Sequence, residues 1–495
     1  MQLPFGEWLP DQPAHLNPGS TVATNVYHAA SSYKPVKSLV AYSGASNVTQ
    51  NAKGAGSFRD NTNAVFTFVG TKDNIYKLTS GTFSSVKGSC TVSGTDTDFF
   101  TFTQFGQYVI ASNGKDAPMV YDMLSSANPK VFVTLQSLAS SGSTVPSKFR
   151  ISGVIRDFLV TGNIENAKNR VQWSGINDIS IWESGVSSSD LQDLPGSGGQ
   201  VVAITSGEVG YVFRQNQIIR MDFVGGNTIF RFSVISPNRG AVYGQTVCQD
   251  NRQVFFYADD GFFQINGDQV LPIGAEKVNR FFESDLNKAY TDRITSAVDP
   301  FNTLAIWLYP SKDNPNTTGI CDKLLIYNYV TQKWSVAKVK ASQIFKQFVI
   351  ANTVELMDIV SENLDEINIS LDTPYWTTGH LYLGAIDENF KAAIFSGTTL
   401  EAELETKETE IFPGMRANIT GVRPLVDASA NVVVKTRDRL ADSVSSSSSS
   451  SQNTSGINPV RKSGRYFRAN VKVPAGSIWT HAQGIDLKAS PGGSR

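Results

Sequence analysis

Helical periodicity is nearly absent from this 495-residue chain. Apolar residues rarely recur at i, i+3, i+4, i+7, which excludes a helical bundle. Cysteine is scarce as well: Cys90, Cys248 and Cys321 lie far apart and lack a C-x-x-C spacing, so no disulfide framework is expected. The four histidines, His15, His28, His380 and His481, are equally scattered, which leaves few zinc arrangements and few general bases near neutral pH. Charge is thin, at 18% of residues against roughly 25% in soluble domains. With 43 Lys+Arg and 44 Asp+Glu the net charge is −1, which argues against a basic nucleic-acid coat. No window of about 18 apolar residues appears, and Met1 to Pro10 lacks the cationic patch and apolar run of a signal peptide. The expectation is a soluble chain made without a signal peptide and without stable membrane insertion. The G-x-S-x-G elbow, the P-loop, H-E-x-x-H and a complete D-x-D-x-D-G loop are all missing, so the common short motifs of catalysis fail.

What is present is β-structure. Period-two alternation and short β-branched or aromatic runs recur throughout: Val65 to Val69 (VFTFV), Gly210 to Arg214 (GYVFR), Val254 to Tyr257 (VFFY) and Leu304 to Tyr309 (LAIWLY). Turn chemistry follows many of them, as in GTKDN at Gly70 to Asn74 and INGD at Ile265 to Asp268, where Asn, Asp and Gly supply the positive φ of tight turns. A loose repeat of roughly 40 to 50 residues emerges, as in propeller blades. Its units are Asn63 to Val92, Phe99 to Leu135, Ile151 to Trp182, Val201 to Ile235, Cys248 to Gly274 and Ile294 to Val336. Trp173, Trp182, Trp307 and Trp334 recur where strands should turn inward. The spacing predicts one helix, Ala275 to Leu286, with Val278, Phe281, Phe282 and Leu286 on one face. The expected class is all-β: a propeller of four-stranded blades over 58–350, an N-terminal arm with first strands over 1–57, an acidic β segment over 351–410 completing or flanking the propeller, and a basic β-sandwich-like domain over 411–495.

The last two segments differ sharply in charge. Residues 351–410 hold 13 Asp+Glu and 2 Lys+Arg, whereas 411–495 hold 12 Lys+Arg and 4 Asp+Glu. Glu401, Glu403 and Glu405 alternate with Ala402, Leu404 and Thr406, so a strand here would carry an acidic stripe. Two readings stand: the stripe lines a passage through which DNA moves without sticking, or it meets the basic domain across an intra-chain or inter-subunit interface. Arg465 to Val473 (RYFRANVKV) sets Phe467, Ala469, Val471 and Val473 on a core face and Arg468 and Lys472 on a cationic face suited to a neighbour's carboxylates. Arg461 and Arg465 add to that basic surface. The run Ser445 to Ser451 reads as a mobile loop. In the arm, Phe5, Trp8 and Leu9 stand among prolines that favour extended backbone, and these side chains need a blade, a neighbouring subunit or their own chain to cover them.

Candidates for chemistry are few. Asp96 with Asp98 and Asp259 with Asp260 are neighbouring acids that could flank a glycosidic bond, but turn chemistry accounts for them. His380 and His481 read as structural histidines, and no cofactor, metal or catalytic residue is expected.

The order of motifs resembles the nozzle or tail-hub proteins of short-tailed bacteriophages, the group that includes tail tubular protein B and the packaged-DNA-stabilising tail proteins. The residues that carry the likeness are Phe5-Gly6-Glu7-Trp8-Leu9-Pro10-Asp11-Gln12-Pro13, Asn17-Pro18-Gly19, Val298-Asp299-Pro300, Lys333-Trp334-Ser335, and Gly464-Arg465-Tyr466-Phe467-Arg468 through Trp479-Thr480-His481-Ala482-Gln483-Gly484. The resemblance implies a non-enzymatic virion tail protein, assembled in the host cytoplasm. It implies a closed ring of six copies below portal and adaptor proteins, passing genomic double-stranded DNA without sequence-specific binding and supporting tailspikes or fibres. Two other readings are a receptor-binding or glycan-degrading tail protein, using Asp259, Asp260 and Trp307, and a cellular β-propeller scaffold.

Overall fold

Runs such as Leu304–Tyr309 are apolar at every position because the strand is covered on both faces. Ala305, Trp307 and Tyr309 enter one core cluster, while Leu304, Ile306 and Leu308 enter the next. Successive side chains of a strand point to opposite faces, so a sheet packed between two others needs apolar residues at odd and even positions alike. The same division sends Phe255 and Tyr257 one way and Val254, Phe256 and Ala258 the other.

The protein is described here from a computed structural model, over residues 1–15, 17–42, 46–79, 81–226, 228–314, 319–348 and 381–493. Five separate four-stranded antiparallel sheets follow one another from Gly54–Arg59 to Gln269–Pro272. They correspond to the first five repeats of the sequence, with the first beginning at Gly54 and the third extending to Asp193. A sixth runs through Thr295–Asp299, Leu304–Tyr309, Cys321–Asn328 and the first half of the long strand Lys333–Phe348. The second half of that strand pairs with Leu381–Asp387, then Ala392–Ile394, then Val40–Ala41. These four strands make a seventh blade between the sixth and the first.

Seven hydrophobic clusters match the seven junctions of the ring. Phe68, Val109 and Phe132 join blades one and two; Ile110, Phe149 and Leu159 join two and three; Val160, Trp173 and Val212 join three and four. Phe213 and Phe256 join four and five, Phe262 and Trp307 join five and six, Leu308 and Ala385 join six and seven, and Val69, Phe345 and Ile386 close seven onto one. The outermost strand of the closing blade, Val40–Ala41, comes from near the other end of the chain, so the ring is held shut by non-local pairing.

A β-sandwich grows from the sixth blade. Thr24 pairs in parallel with Val336, and the sheet continues through Ala23–Thr24, Ala402–Glu405, Tyr466–Val473, Asn431–Arg437 and Ser445–Ser446. Its second layer is Val26–Ala29, Ser32–Pro35, Ala482–Gly492, Arg416–Val426 and Asn458–Gly464, with Gln2–Pro4 added along Ala482–Gly492. Residues 1–57 are therefore shared out among the sandwich, the seventh blade and the first blade, and the part of 351–410 that is described divides between blade seven and the sandwich. Residues 351–380 of that acidic segment lie outside the described residues.

The cover of the arm is resolved, and two local expectations change. The arm docks on its own chain: Phe5 and Trp8 are buried, Trp8 donates Nε1–H to the Thr21 carbonyl at 3.1 Å and meets the Phe281 ring edge-on at 5.0 Å. The serine run is an edge of the sandwich, because Ser445 and Ser446 pair with Thr436 and Lys435, and Ser450 exchanges backbone hydrogen bonds with Val432 at 2.9 Å. Backbone hydrogen bonds to a β-branched neighbour strand need no apolar side chain on the edge itself. The helix is shorter than its pattern, Asn279–Asp285, with Val278, Phe282 and Leu286 buried.

The junction of blades five and six is shared with the sandwich, and aromatics fill it. Trp334 stacks on Trp307 with ring centres 5.7 Å apart, touches Phe262 and Tyr327, and donates Nε1–H to the Ile273 carbonyl at 2.9 Å. We expect Trp334→Ala to cost about 3–5 kcal/mol. Urea unfolding followed by fluorescence and by far-ultraviolet circular dichroism should show both propeller and sandwich losing stability together; loss of one alone would break the shared-core account.

Candidate functional site

The first strands of the blades face the axis of the ring and wall a cavity of about 510 Å³. Its lining is mixed. Phe58, Phe99, Phe100 and Phe102 stand on blades one and two beside Thr101, Thr103 and Gln104, whereas Thr205, Ser206, Gln245, Gln249, Thr295, Ser296 and Gln343 stand on blades four to seven beside Val202, Ile204 and Val247. None of the lining residues carries a formal charge.

Much of this polar lining is engaged in tying neighbouring blades together. Gln104 donates to the Arg59 carbonyl at 2.6 Å, and Thr103 Oγ1 donates to the Ser152 carbonyl at 3.0 Å. Ser206 Oγ accepts from the Val154 amide at 2.9 Å, Gln249 donates to the Ser206 carbonyl at 2.6 Å, and Ser296 Oγ donates to the Gln245 carbonyl at 2.7 Å. Thr295 Oγ1 accepts from the Ile344 amide at 3.4 Å. The inner strands approach closely at blades one and two, where a Cβ on Gly54 would lie 2.4 Å from the Phe100 carbonyl oxygen, so only glycine fits. Among the described residues, the Thr101 hydroxyl and the Gln245 side-chain amide face this cavity without a hydrogen-bond partner. Sequence reasoning missed the channel, because its lining residues are ordinary strand residues whose common feature is being first in each blade.

The sequence-nominated residues lie elsewhere, mostly in the sandwich. Glu405 is 1% exposed and sits between Lys435 Nζ at 2.6 Å and Arg468 Nη1 at 2.9 Å. Glu403 lies opposite Lys472, 3.7 Å away, and accepts from Asn470 at 2.8 Å. Glu408 pairs with Arg437, and Glu410 with Arg465 at 3.7 Å. Glu401 is exposed, with its backbone carbonyl accepting from Asn25 at 2.7 Å. Arg461 is exposed on the strand Asn458–Gly464. The carboxylates that the cationic face of RYFRANVKV meets thus belong to its own chain, and the acidic strand points into the basic domain.

The remaining candidates are engaged structurally. Asp98 accepts from Arg150 at 2.8 Å, and Asp260 from Arg239 Nε at 3.0 Å, while Trp307 is wholly buried and donates to the Thr246 carbonyl at 2.9 Å. Trp307 therefore cannot stack on a sugar beside Asp259 and Asp260, which removes the proposed glycan site. The three cysteines are buried; burial pushes the Cys248 thiol up to about 12 and raises Cys90 and Cys321 as well, so none is a ready thiolate. His15 packs against Tyr466, His481 lies 3.3 Å from Asp427, and His380 is outside the described residues. His28 is 4% exposed, with Nε2 3.1 Å from Lys333 Nζ. Burial, then the Lys333 charge, pushes its imidazole down to about 4.

No family model matches the chain, and no curated protein matches it. Among solved structures it is similar to a chain of the mitotic checkpoint complex, at 10% identity and TM-score 0.38, over 75% of this chain and 98% of that one. It is also similar to the Neurospora crassa Pan2 WD40 domain, at 8% identity and TM-score 0.37 over 74% and 96%, and to the Myceliophteria thermophila Cps50 (Swd1) β-propeller domain, at 12% and 0.30 over 76% and 99%. At such identities the likeness speaks to fold alone. The tail-nozzle expectation is corrected: the three structures named are of cellular proteins, and none of the three is a phage-tail protein. The features read as awaiting a neighbour, the arm and the cationic strand, are satisfied within one chain.

Two measurements check the electrostatics. Glu405→Gln should destabilise the fold by about 3 kcal/mol, because it leaves two partly buried cations without a counter-charge, while exposed Glu401→Gln should change it by less than about 0.5 kcal/mol. Equal effects in urea unfolding would refute the assignment. For His28, the folded state disfavours protonation relative to the unfolded chain, whose imidazole titrates near 6.5. The unfolded state therefore takes up protons first, and the stability contributed by the neutral ring is complete above about pH 6.5 and is lost as pH falls towards 4. His28→Gln should flatten that part of the stability profile; an unchanged slope would show that other groups cause it.

Proposed function

We propose that this protein is a non-catalytic β-propeller scaffold that holds a protein partner on one end of its ring. The observation that carries this reading is an asymmetry of apolar exposure. In an antiparallel blade, the turns between strands one and two and between strands three and four lie at the same end. Leu124, Ile176, Val186, Val224, Phe301 and Val330 are all exposed large apolar residues in such turns. Among the described residues, no large apolar residue is exposed in the loops at the other end of the blades. Single exposed apolar residues mean little, but a set that occupies the blade loops at one end of the ring and not at the other marks an interaction surface.

The sixth blade supplies the most exposed part. Phe301 is 66% exposed and Val330 68%. Their turns are fixed: Asp299 Oδ1 accepts from the Phe301 amide at 3.1 Å, Asn328 Oδ1 accepts from the Val330 and Thr331 amides at 3.0 and 2.9 Å, and the Tyr329 amide donates to the Thr303 carbonyl at 3.1 Å. Two apolar tips are thereby presented side by side without freedom to withdraw, so a partner does not have to supply the ordering cost. Among the described residues, the ion-paired Asp98 and Asp260, the buried thiols and the packed His28 support a role in binding over one in bond-making.

Affinity capture with the immobilised protein from the cells that express it, quantified by mass spectrometry, tests this. The double variant Phe301→Asp/Val330→Asp should lose a defined set of proteins at least about tenfold, whereas Leu440→Asp in the sandwich should retain them. Equal recovery by all three forms would overturn the reading.

A further inference from the structure

The axial cavity has the chemistry of a peptide site. Charged ligands are excluded, since a carboxylate, ammonium or phosphate would be desolvated opposite walls that carry no counter-charge. A wholly apolar ligand fits poorly as well, because it would leave the Gln245 amide and the Thr101 hydroxyl facing it without a partner. What remains is an uncharged ligand with both polar and apolar parts. The polar groups still available are an amide, Gln245, and a hydroxyl, Thr101, joined by Gln343, which is 8% exposed, lines the cavity and makes one long hydrogen bond of 3.4 Å from Nε2. A carboxamide offers a donor and an acceptor together, the pattern that a peptide group presents in reverse. Phe58 and Phe102, on blades one and two, offer ring surface for one apolar side chain. A volume of about 510 Å³ is within the range of a ligand pocket.

The cavity also runs the right way. Its lining includes Phe58, Gln104 and Gln249, near the ends of their strands at the apolar end of the ring, as well as Phe99 and Gln245 near the opposite end. We propose that the channel receives a short, uncharged, extended segment of the protein partner, with its backbone amides on Gln245, Thr101 and Gln343 and one apolar side chain against the phenylalanines. This rests on the scaffold reading, and adds to it a second, separable contact.

The probe is a fluorescent, end-capped, uncharged pentapeptide series, Gly-X-Ser-Thr-Gly with X as Leu, Val or Phe, followed by polarisation. At least one member should bind, and Gln245→Leu should weaken it about tenfold. Thr101→Trp should abolish binding by filling the channel. Replacing X by Glu should remove binding to the unaltered protein. Phe301→Asp/Val330→Asp should leave peptide binding unchanged, so loss of partner capture and loss of channel binding are read independently. A thermal melt of each variant separates a blocked channel from a misfolded protein, and Gln245→Leu carries the test if Thr101→Trp unfolds. No binding by any member, equal binding by both channel variants, or equal binding of the Glu peptide would overturn the proposal.

Discussion

Every blade has two apolar faces, and neither can be left to water. That constraint shapes the whole molecule. A lone four-stranded sheet with the composition of Leu304–Tyr309 would expose Trp307 on one side and Leu308 on the other. Covering one face with a neighbouring blade leaves the neighbour's far face bare, and the regress ends only when the last blade meets the first. The seven junction clusters are that closure, and Val40–Ala41, pairing with Ala392–Ile394, is where the two distant parts of the chain complete it. Burial of aromatic and branched side chains at about 25 cal/mol per Å² supplies the driving force, and the hydrogen bonds between inner strands set the register of one blade on the next.

The same logic explains the sandwich. The outer strand of a blade is an exposed sheet edge, and a long one invites pairing with another chain. At the sixth blade the edge is used inside the chain: Thr24 pairs with Val336, and the sheet carries on into the basic strands. The arm then seals the joint from the side, with Trp8 against Phe281 and Lys277 on Glu7 at 2.6 Å. Propeller and sandwich therefore share a core, which makes a rigid platform whose blade loops carry their exposed apolar residues at one end.

Charge plays two parts in this platform. In the sandwich, the acidic strand and the basic strands meet face to face, and Glu405 is desolvated between Lys435 and Arg468. There the charge serves register. In the channel, charge is missing from the lining altogether, and polarity comes from amides and hydroxyls that mostly bind the neighbouring blade.

The amino-acid sequence by itself determined the strands, the turns and most of the blade boundaries, since these depend on period-two patterning and on Asn, Asp and Gly within a few residues of one another. Phe467, Ala469, Val471 and Val473 were legible as a core face for the same reason. The closing blade was legible only as an acidic segment completing or flanking the ring; its strands are drawn from residues 40–41, 341–348 and 381–394, and no local pattern records which distant edge a short strand will join. The partners of Glu403 and Glu405 were open between the lumen, a neighbour and the chain itself for a like reason: a stripe of charge states what it needs, and only packing decides what supplies it. The channel belonged wholly to tertiary structure. Gln104, Thr205, Gln245 and Thr295 become neighbours around one axis because the ring closes, which is a property of all seven blades and of none of them alone.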